Sequence, residues 1–480
     1  MVVRTRFAPS PTGNMHIGNL RTALYGYLFA RKTGGDFVVR IEDTDQVRFQ
    51  ENATEIIFKT LEQTGLDYDE GPGKEKDCGP YYQSERREIY KKYALELIEK
   101  GAAYYCFCTD DQLENDRKAA EDEGKTYKYP KTCLSLSKEE IEKRINNGEK
   151  YVIRQNTPLS GEVSFDDVIF GHISVDCSDL DDMILLKSDG LPTYNFANVV
   201  DDHLMGITHV LRGSEYLSST PKYNLLYQAF GWEPPMYVHL PLIMRDATHK
   251  LSKRHGDKSF HDLLDDGFLP DAIVNYITLL GWNDGSNKEI YTRQELIEAF
   301  SLEGISKSPS IFDINKLRWM NGEYIKAMPF EEFFNLAKEW IEKEDSLKIY
   351  DQEKLAKLIQ TRVEILSEIP QKLAFLPEVS EHTTEMYCHK KFKLDVDGAK
   401  ESLLQVRDKY ASLDTWNEET IHDALISLAQ ETGKKNGMIM WPARVALCGL
   451  ESTPGGAVEL ADILGKEETL KRIDNAIKMF

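Results

Sequence analysis

The chain has 480 residues, a formal net charge of −21 and 41% hydrophobic residues, and its length predicts about three or more modules rather than one core. No apolar run reaches the roughly 18 residues that a membrane-spanning helix needs. The N-terminus begins with a charged strand instead of a signal peptide, so we expect a cytoplasmic protein. The acidity does not exclude a nucleic-acid partner, because affinity for phosphates depends on local basic surfaces.

The first predicted elements are a strand, a loop and a helix. Residues 2–7 are typical of a short buried strand, and residues 17–32 of a helix with apolar residues at helical spacing. The loop between them contains Pro9, Pro11 and Gly13, which permit no regular structure. Backbone N–H groups and the positive end of a helix dipole meet at such a junction, so it predicts an anion site.

Two residues at the start of this helix are candidates for contact with the anion. His16 lies at the helix entrance, and a side chain at Gly18 would block the close approach of a ligand. The alternative interpretation is a capping histidine followed by an ordinary turn glycine. A basic loop far downstream favours the nucleotide site.

That basic loop has four cationic residues within nine positions, namely Lys250, Lys253, Arg254 and Lys258. On an acidic chain such a loop is by default a solvated surface patch. Two lysines three positions apart can also clamp a polyphosphate and stabilise the negative charge that builds on leaving pyrophosphate. The loop and the N-terminal junction together predict one site for a triphosphate.

Charged residues near the strand ends suggest a second ligand. Arg6 ends the first strand and offers a bidentate fork for a carboxylate. Residues 38–45 predict the next strand, which ends in acids, including Glu42, that suit an ammonium group. Taken singly, such residues are more often caps or surface ion pairs.

The two anion-site segments resemble the two signatures of class I aminoacyl-tRNA synthetases. The first spans residues 16–19, in which Asn19 replaces the final histidine of His-Ile-Gly-His. The second spans residues 250–254, in which Leu251 and Arg254 depart from Lys-Met-Ser-Lys-Ser. Neither departure removes a lysine, the histidine or the glycine.

The flanking segments narrow the resemblance to the glutamyl and glutaminyl branch. Residues 191–203 resemble the substrate-pocket helix of this branch, and residues 209–215 resemble the strand and loop after it. Residues 312–322 and 441–449 are typical of bacterial-type glutamyl-tRNA synthetases. Residues 326–480 show helical periodicity, whereas glutaminyl relatives carry a β-barrel in this half, so the glutamyl type is favoured.

The resemblance implies roles for individual residues. The implied catalytic residues are His16, Gly18, Lys250 and Lys253. The implied ATP-binding residues are Thr12, Gly13, His16, Gly18, Asn19, Lys250, Ser252 and Lys253. The residues implied to hold the substrate L-glutamate are Arg6, Ala8, Ser10, Glu42, Tyr194, Asn198 and Arg212.

The implied fold is α/β, with a class I synthetase Rossmann-like catalytic domain that carries an inserted acceptor-stem-binding domain. A mostly α-helical half for stem contact and anticodon binding follows it. The expected division is 1–105 (catalytic domain, first half), 106–184 (inserted domain), 185–235 (catalytic domain, second half), 236–325 (stem-contact domain with the lysine loop) and 326–480 (helical anticodon-binding domain).

One group of cysteines resembles a zinc site. Some bacterial glutamyl-tRNA synthetases bind zinc through Cys-x-Cys followed by Tyr-x-x-x-Cys, and Cys106, Cys108, Tyr129 and Cys133 have the same spacing. A structural zinc site usually has four good ligands. Ser135 stands where some relatives have a histidine, which leaves Tyr129 as the fourth candidate. Three buried thiols without a metal are the alternative.

The activity implied is that of a monomeric glutamate–tRNA ligase, which uses ATP with Mg²⁺, L-glutamate and tRNA(Glu). One alternative is a non-discriminating enzyme that also charges tRNA(Gln). Gln360 favours it, because some relatives have a discriminating arginine at about that position. Another is a non-catalytic tRNA-binding paralogue, which the intact signature residues argue against. The candidate phosphate-binding residues are Lys316, Arg318, Lys326, Lys434 and Lys435, all of which are also compatible with ordinary surface.

Overall fold

The computed structural model describes residues 2–11, 13, 15–45, 52–251 and 258–480. The chain divides into two compact units. The first comprises Met1–Leu263 and Ile273–Asp313, and the second Leu264–Ala272 and Ile314–Phe480. None of the helices in the described ranges has the length and apolar character that crossing a membrane requires.

The first unit mixes strands and helices. Its described strands are β1 (Arg4–Phe7), β2 (Asp36–Val39), β3 (Ala103–Cys106), β4 (Val152–Gln155), β5 (Glu162–Asp167), β6 (Gly171–Asp176), β7 (Ile184–Leu186), β8 (His209–Gly213), β9 (Met236–Leu240), β10 (Ile243–Met244) and β11 (Ser310–Ile311). Its described helices are α1 (Ile17–Thr33), α2 (Ala53–Gln63), α3 (Arg87–Glu99), α4 (Asp110–Asp122), α5 (Lys138–Asn146), α6 (Tyr194–Leu204), α7 (Thr220–Phe230) and α10 (Arg293–Ala299). Helices α8 (Phe260–Asp265) and α9 (Pro270–Leu279) cross the boundaries between the units.

Six strands form the main sheet in the order β2-β1-β8-β9-β5-β6. β1 is parallel to β2 and β8, and β9 is parallel to β8 and β5. The chain runs from β1 through α1 to β2 on one side, whereas β8 lies on the other side of β1. Ligands of open α/β sheets bind at such a reversal, beyond the carboxyl ends of the strands.

The range 106–184 contributes to two sheets. β4 pairs with β3 and β7 in a three-stranded antiparallel sheet. The hairpin of β5 and β6 instead joins the main sheet, where Asp167 lies opposite Tyr237 of β9. The main sheet therefore takes two strands from this range. The five-domain division stays a prediction.

Helix α1 shows how local sequence positions the site. His16 caps its N-terminus, and the Nδ1 atom of His16 accepts a hydrogen bond from the Gly18 N–H at 3.1 Å. The helix ends at Gly34, whose φ of 65° suits glycine. The predicted strand and helix at the N-terminus are thus confirmed as β1 and α1.

The second unit is helical, as its periodicity predicts. Its further helices are α11 (Ile314–Ala327), α12 (Phe330–Ile341), α13 (Gln352–Ile359), α14 (Ile369–Leu373), α15 (Val396–Ala411), α16 (Glu418–Thr432), α17 (Asn436–Cys448) and α18 (Ala457–Ile477). No strand occurs among the described residues after Ile311. A buried apolar cluster that includes Phe333, Leu403 and Val445 forms its core.

Candidate active site

A cavity of about 620 Å³ opens at the carboxyl ends of β1, β8 and β9, beside the start of α1. Ten of the residues predicted from the sequence line it, namely Arg6, Ala8, Ser10, His16, Gly18, Asn19, Glu42, Tyr194, Arg212 and Lys250. The topology thus brings together residues as far apart in the chain as Arg6 and Lys250.

Some predicted residues do not line the cavity. Gly13 and Asn198 are not among the residues of its wall. The Asn198 amide instead donates to the Tyr194 carbonyl oxygen at 2.7 Å within α6. Thr12, Ser252 and Lys253 lie outside the described residues, so their predicted roles stay predictions.

His16 both caps α1 and lines the cavity. Because Nδ1 accepts the Gly18 N–H, the neutral ring carries its proton on Nε2. A Cβ atom at Gly18 would meet His16 Nδ1 at 3.5 Å, an ordinary contact. Nothing within the described chain therefore requires glycine at position 18. The space beside its backbone is available to a ligand in the cavity.

Arg212 is a buried cation without an ion pair among the described residues. Its side chain is 4% exposed, and its guanidinium donates from Nε to His239 Nε2 at 3.0 Å and from Nη2 to Thr220 Oγ1 at 2.7 Å. Both acceptors are uncharged. The ring of Tyr223 lies 4.9 Å from Cζ. A buried charge without a counter-ion is costly, so this arginine is suited to an anionic ligand.

Arg6 is another cation of the cavity wall, and its guanidinium is held by partners within the protein. Its Nε donates to Asp202 at 3.1 Å, and its Nη1 donates to the Leu211 carbonyl at 3.2 Å. Asp202 also accepts from Arg40 at 2.9 Å. Burial raises the pKa of Asp202, but the guanidinium groups of Arg6 and Arg40 outweigh this effect and hold that pKa below its ordinary value. Asp202 therefore stays ionised and fixes Arg6.

Glu42 is an acidic residue of the cavity wall and is 4% exposed. Its Oε1 accepts from Arg40 Nη2 at 3.0 Å and from Gln83 Nε2 at 3.5 Å. Burial raises the pKa of Glu42 to about 7, although Arg40 and Arg6 oppose the shift. The carboxyl group therefore changes charge near neutral pH.

This titration predicts a pH dependence. Below pH 7 the protonated, uncharged Glu42 loses its attraction for an ammonium group, so kcat/KM for the amino acid is expected to fall about tenfold per pH unit. Above pH 7 the profile is expected to be flat. Initial rates from pH 5.5 to 8.5 test this, with Glu42→Gln as the control. A slope that persists in Glu42→Gln would contradict the assignment.

Sequence reasoning missed other residues of the cavity wall. They include Arg21 of α1, and Glu215 and Tyr216 in the turn after β8. Arg21 is 4% exposed and donates to the carbonyl oxygens of Leu280 and Pro241. Those partners lie more than 200 positions along the chain, so no local pattern signals them.

Lys250 reaches the cavity through a hairpin. Met244 and Lys250 form an antiparallel bridge, and the Leu251 N–H donates to the Ile243 carbonyl at 3.0 Å. The hairpin places Lys250 on the cavity wall at the start of the predicted lysine loop. A flexible lysine at this edge suits the charge of a polyphosphate.

The predicted metal-binding residues form one cluster. The Sγ atoms of Cys106, Cys108 and Cys133 lie within 4.8 Å of one another, and the Tyr129 hydroxyl is 3.2 Å from the Sγ atoms of Cys106 and Cys108. The hydrogen bond from Cys133 lowers the pKa of Cys106 to about 4. Tetrahedral zinc holds sulfur ligands about 3.8 Å apart, so the cluster fits zinc. Ser135 is exposed and bonds to the Thr132 carbonyl instead.

A second cavity, of about 750 Å³, lies within the second unit. Trp441 and Arg444 line it, and the Arg444 guanidinium lies 4.5 Å from the Trp441 ring. Trp441 Nε1 donates to the Met386 carbonyl at 3.0 Å, which fixes the ring. Aromatic rings and arginine planes of this kind are surfaces on which unstacked bases bind.

The predicted basic residues of the second unit are largely paired. Arg318 bonds to Glu364 and Glu368, Lys326 to Glu323, and Lys434 to Glu401. The carboxylate partners of these three residues compete with a phosphate for the same cations.

Gln360 is held by its neighbours within the second unit. Its amide donates to the carbonyl oxygens of Ile325 and Met328, and Arg362 beside it is exposed. The Gln360 amide nitrogen therefore serves the protein backbone.

Comparison with known proteins decides the family. The family "tRNA synthetases class I (E and Q), catalytic domain" matches residues 2–319, and "Anticodon binding domain" matches residues 332–477. A glutamate–tRNA ligase from Clostridium kluyveri is 57% identical over 476 residues, which cover 99% of this chain and 98% of the relative. The chain belongs to the glutamate–tRNA ligases. A glutamate–tRNA ligase from Clostridium tetani is 56% identical and covers 99% of this chain and 97% of its own.

Solved structures agree with this membership. A glutamate–tRNA ligase from Elizabethkingia meningosepticum, solved in complex with its amino acid, has a TM-score of 0.88 and 35% identity. It covers 100% of this chain and 99% of its own. The enzyme from Elizabethkingia anophelis has the same TM-score and identity, with 100% coverage of both chains. The predicted class I α/β fold with a helical second half is thus confirmed, as is the glutamate–tRNA ligase activity with its two substrates, glutamate and tRNA.

Proposed function

We propose that the cavity at the carboxyl ends of β1 and β8 binds L-glutamate and ATP together and forms glutamyl-adenylate there. The observation that carries this proposal is Arg212, a buried guanidinium with no ion-pair partner among the described residues and a position on the cavity wall. A substrate carboxylate supplies the missing counter-charge through charge-assisted hydrogen bonds.

Three of the charged side chains on the cavity wall are the inverse of the charges of glutamate. Arg6 and Arg212 provide two cations and Glu42 provides one anion, whereas glutamate carries two carboxylates and one ammonium group. Arg6 and Glu42 are also fixed by buried partners, Asp202 and Arg40. A site held rigid in this way loses little entropy on binding and discriminates against amino acids of different charge.

ATP is proposed to lie at the start of α1. Gly18 leaves space for the nucleotide, and the backbone N–H groups and dipole of the helix favour its phosphates. His16 lines the same wall, and Lys250 contacts the triphosphate from the hairpin edge. Lys253 is proposed as the second lysine of the clamp on the strength of the sequence pattern. Mg²⁺ enters bound to ATP as part of that substrate.

The reaction then proceeds in two steps. The α-carboxylate of glutamate attacks the α-phosphate of ATP, and the bond to pyrophosphate breaks. Next, the terminal 2′-hydroxyl of the tRNA attacks the carbonyl carbon of the mixed anhydride, and AMP leaves. The two steps need no covalent nucleophile from the chain, which positions the substrates and stabilises the charge that develops on the phosphates.

Zinc is proposed to bind the cluster of Cys106, Cys108 and Cys133, with the Tyr129 hydroxyl as the fourth candidate ligand. The metal would tie the segment between α4 and α5 to the end of β3 and would have no part in the chemical steps. Elemental analysis of the dialysed protein is expected to give about one zinc per chain, and Cys133→Ser is expected to lose it. Cys177→Ser, which changes a buried cysteine outside the cluster, is the control. Absence of zinc from the unmodified protein would favour three thiols without a metal, of which Cys106 and Cys133 are buried and Cys108 is half-buried.

The cavity of the second unit is proposed to receive anticodon bases. It lies within the range that matches the anticodon-binding family, and Trp441 and Arg444 offer stacking surfaces. Base stacking on an aromatic side chain contributes about 1–3 kcal/mol per base. A monomeric state and a cytoplasmic location stay predictions.

Charging of labelled glutamate onto separate glutamate and glutamine tRNAs, with ATP and magnesium, tests the proposal. We expect charging of tRNA(Glu) alone. Charging of both tRNAs would identify a non-discriminating enzyme whose product on tRNA(Gln) needs later correction. Charging of neither would overturn the proposed function.

A further inference from the structure

A relay of three buried side chains lies behind Arg212. Arg212 of β8 and His239 of β9 are register partners in the parallel ladder, and Arg212 Nε donates to His239 Nε2 at 3.0 Å. His239 Nδ1 lies 2.6 Å from Asp167 Oδ2 at the end of β5. The exposed fractions of Asp167, His239 and Arg212 are 3%, 0% and 4%. Three neighbouring strands thus each contribute one member.

The hydrogen bonds fix the tautomer of the imidazole. An arginine N–H can only donate, so His239 Nε2 must be an acceptor, and the ring proton must lie on Nδ1 and point at Asp167. Burial lowers the pKa of His239, which keeps the ring uncharged. Burial raises the pKa of Asp167, but the bonds from His239 and from the backbone N–H groups of Phe170 and Ile169 outweigh this effect, so Asp167 is ionised.

The other hydrogen bonds of Arg212 leave its Nη1 group available to a ligand in the cavity. Nη2 donates to Thr220 Oγ1 at 2.7 Å, and the Thr220 hydroxyl donates to the Tyr216 carbonyl at 2.8 Å. No described residue accepts a hydrogen bond from Nη1. Two of the three guanidinium nitrogens are therefore tied to acceptors within the protein.

The acceptor for Arg212 Nε is the uncharged imidazole of His239 and not a carboxylate. A carboxylate in direct contact with Arg212 would neutralise the guanidinium and compete with an anionic ligand. Here the carboxylate of Asp167 is one imidazole further away, so it orients the relay without pairing with Arg212.

We propose that His239, oriented by Asp167, is a positioning residue that aims the Arg212 guanidinium at a substrate carboxylate and keeps its charge available for selecting glutamate over glutamine. This inference rests on the proposed function and takes the carboxylate at Arg212 to be that of the side chain, because glutamine differs from glutamate only there. His239 and Asp167 themselves do not touch the amino acid.

The test compares KM for glutamate and KM for ATP in the charging reaction. His239→Phe keeps a flat ring beside Phe165 and Tyr237 but removes the acceptor. It is expected to raise KM for glutamate about ten- to a hundredfold, as for a lost hydrogen bond to a charged group, with KM for ATP and kcat little changed. His239→Gln places an amide oxygen near the Nε2 position and is expected to restore most of the lost affinity. The preference for glutamate over glutamine, as a ratio of kcat/KM values, is expected to fall in His239→Phe and to recover in His239→Gln.

Asp167→Asn tests the relay itself. The asparagine amide would favour the opposite tautomer, which turns an N–H of His239 toward Arg212, so KM for glutamate is expected to rise. In the His239→Gln background the same change is expected to cost little, because no tautomer remains to be fixed. His209→Gln, on β8 but outside the cavity wall, is the control.

Other outcomes would overturn the inference. If His239→Phe and Asp167→Asn raise both KM values alike and lower the thermal unfolding temperature, and if His239→Gln restores nothing, the three residues are structural. If Arg212→Gln raises KM for glutamate but His239→Phe does not, the relay fails while the proposed function stands. If Arg212→Gln has no effect, the proposed function itself fails.

Discussion

Arg212→Gln is expected to raise KM for glutamate about a hundredfold without lowering the thermal stability of the protein. The variant removes a charge-assisted contact to the substrate, a loss of a few kcal/mol. It also removes a buried cation that lacks an ion-pair partner among the described residues, and the relieved desolvation cost of that charge offsets the loss of its hydrogen bonds to His239 and Thr220. Steady-state charging and thermal unfolding, measured on the same preparation, test both halves of this expectation.

Arg472→Gln is the matched control for Arg212→Gln, because Arg472 is also 4% exposed. Its Nε donates to Glu468 at 2.9 Å, and its other nitrogens donate to backbone carbonyls such as that of Leu447 at 2.7 Å. We expect Arg472→Gln to lower the unfolding temperature and to leave KM for glutamate unchanged. A loss of stability in Arg212→Gln as large as that in Arg472→Gln would show that Arg212 serves the fold rather than the substrate.

Gly18→Ala is expected to lower kcat/KM for ATP on the order of a hundredfold, because its methyl group occupies the space proposed for the nucleotide and displaces the phosphates. The fold is expected to tolerate the change. The new Cβ would meet His16 Nδ1 at 3.5 Å, and alanine favours a helix over glycine by roughly 0.5–1 kcal/mol. Rates at varied ATP, with thermal unfolding alongside, measure the two effects.

Gly26→Ala supplies the matched control within α1. A Cβ at Gly26 would meet Phe37 at 3.5 Å and Thr5 at 3.7 Å, contacts as ordinary as that at Gly18, but Gly26 does not line the cavity. Gly26→Ala is expected to have the same kcat/KM for ATP as the unmodified protein. Equal ATP kinetics in the two variants would mean that Gly18 has no role beyond the helix.

Much of the cavity was predictable from the sequence because its residues lie in recognisable local segments. Arg6, His16 and Gly18 belong to one strand–loop–helix junction, and Tyr194 and Arg212 belong to segments similar to those of the family. The fold class followed from the same segments and from helical periodicity. Neither signal depends on knowing which strands are neighbours.

The supports of the cavity were not predictable in this way. Asp202 binds Arg6 across 196 positions of sequence, and Asp167 reaches His239 across 72. Nothing near Asp167 in the sequence indicates that β5 pairs with β9. The environment of a side chain also depends on the fold. Asn198 matches the substrate-binding pattern, yet in the structure its amide bonds to the Tyr194 carbonyl.

Equilibrium binding of labelled glutamate and of ATP to the unmodified protein, Arg212→Gln and Gly18→Ala tests the central claim most directly. If one cavity holds both substrates at separate places, Arg212→Gln loses glutamate and keeps ATP, whereas Gly18→Ala loses ATP and keeps glutamate. Retention of glutamate by Arg212→Gln, in a protein that unfolds at the same temperature as the unmodified one, would contradict the account.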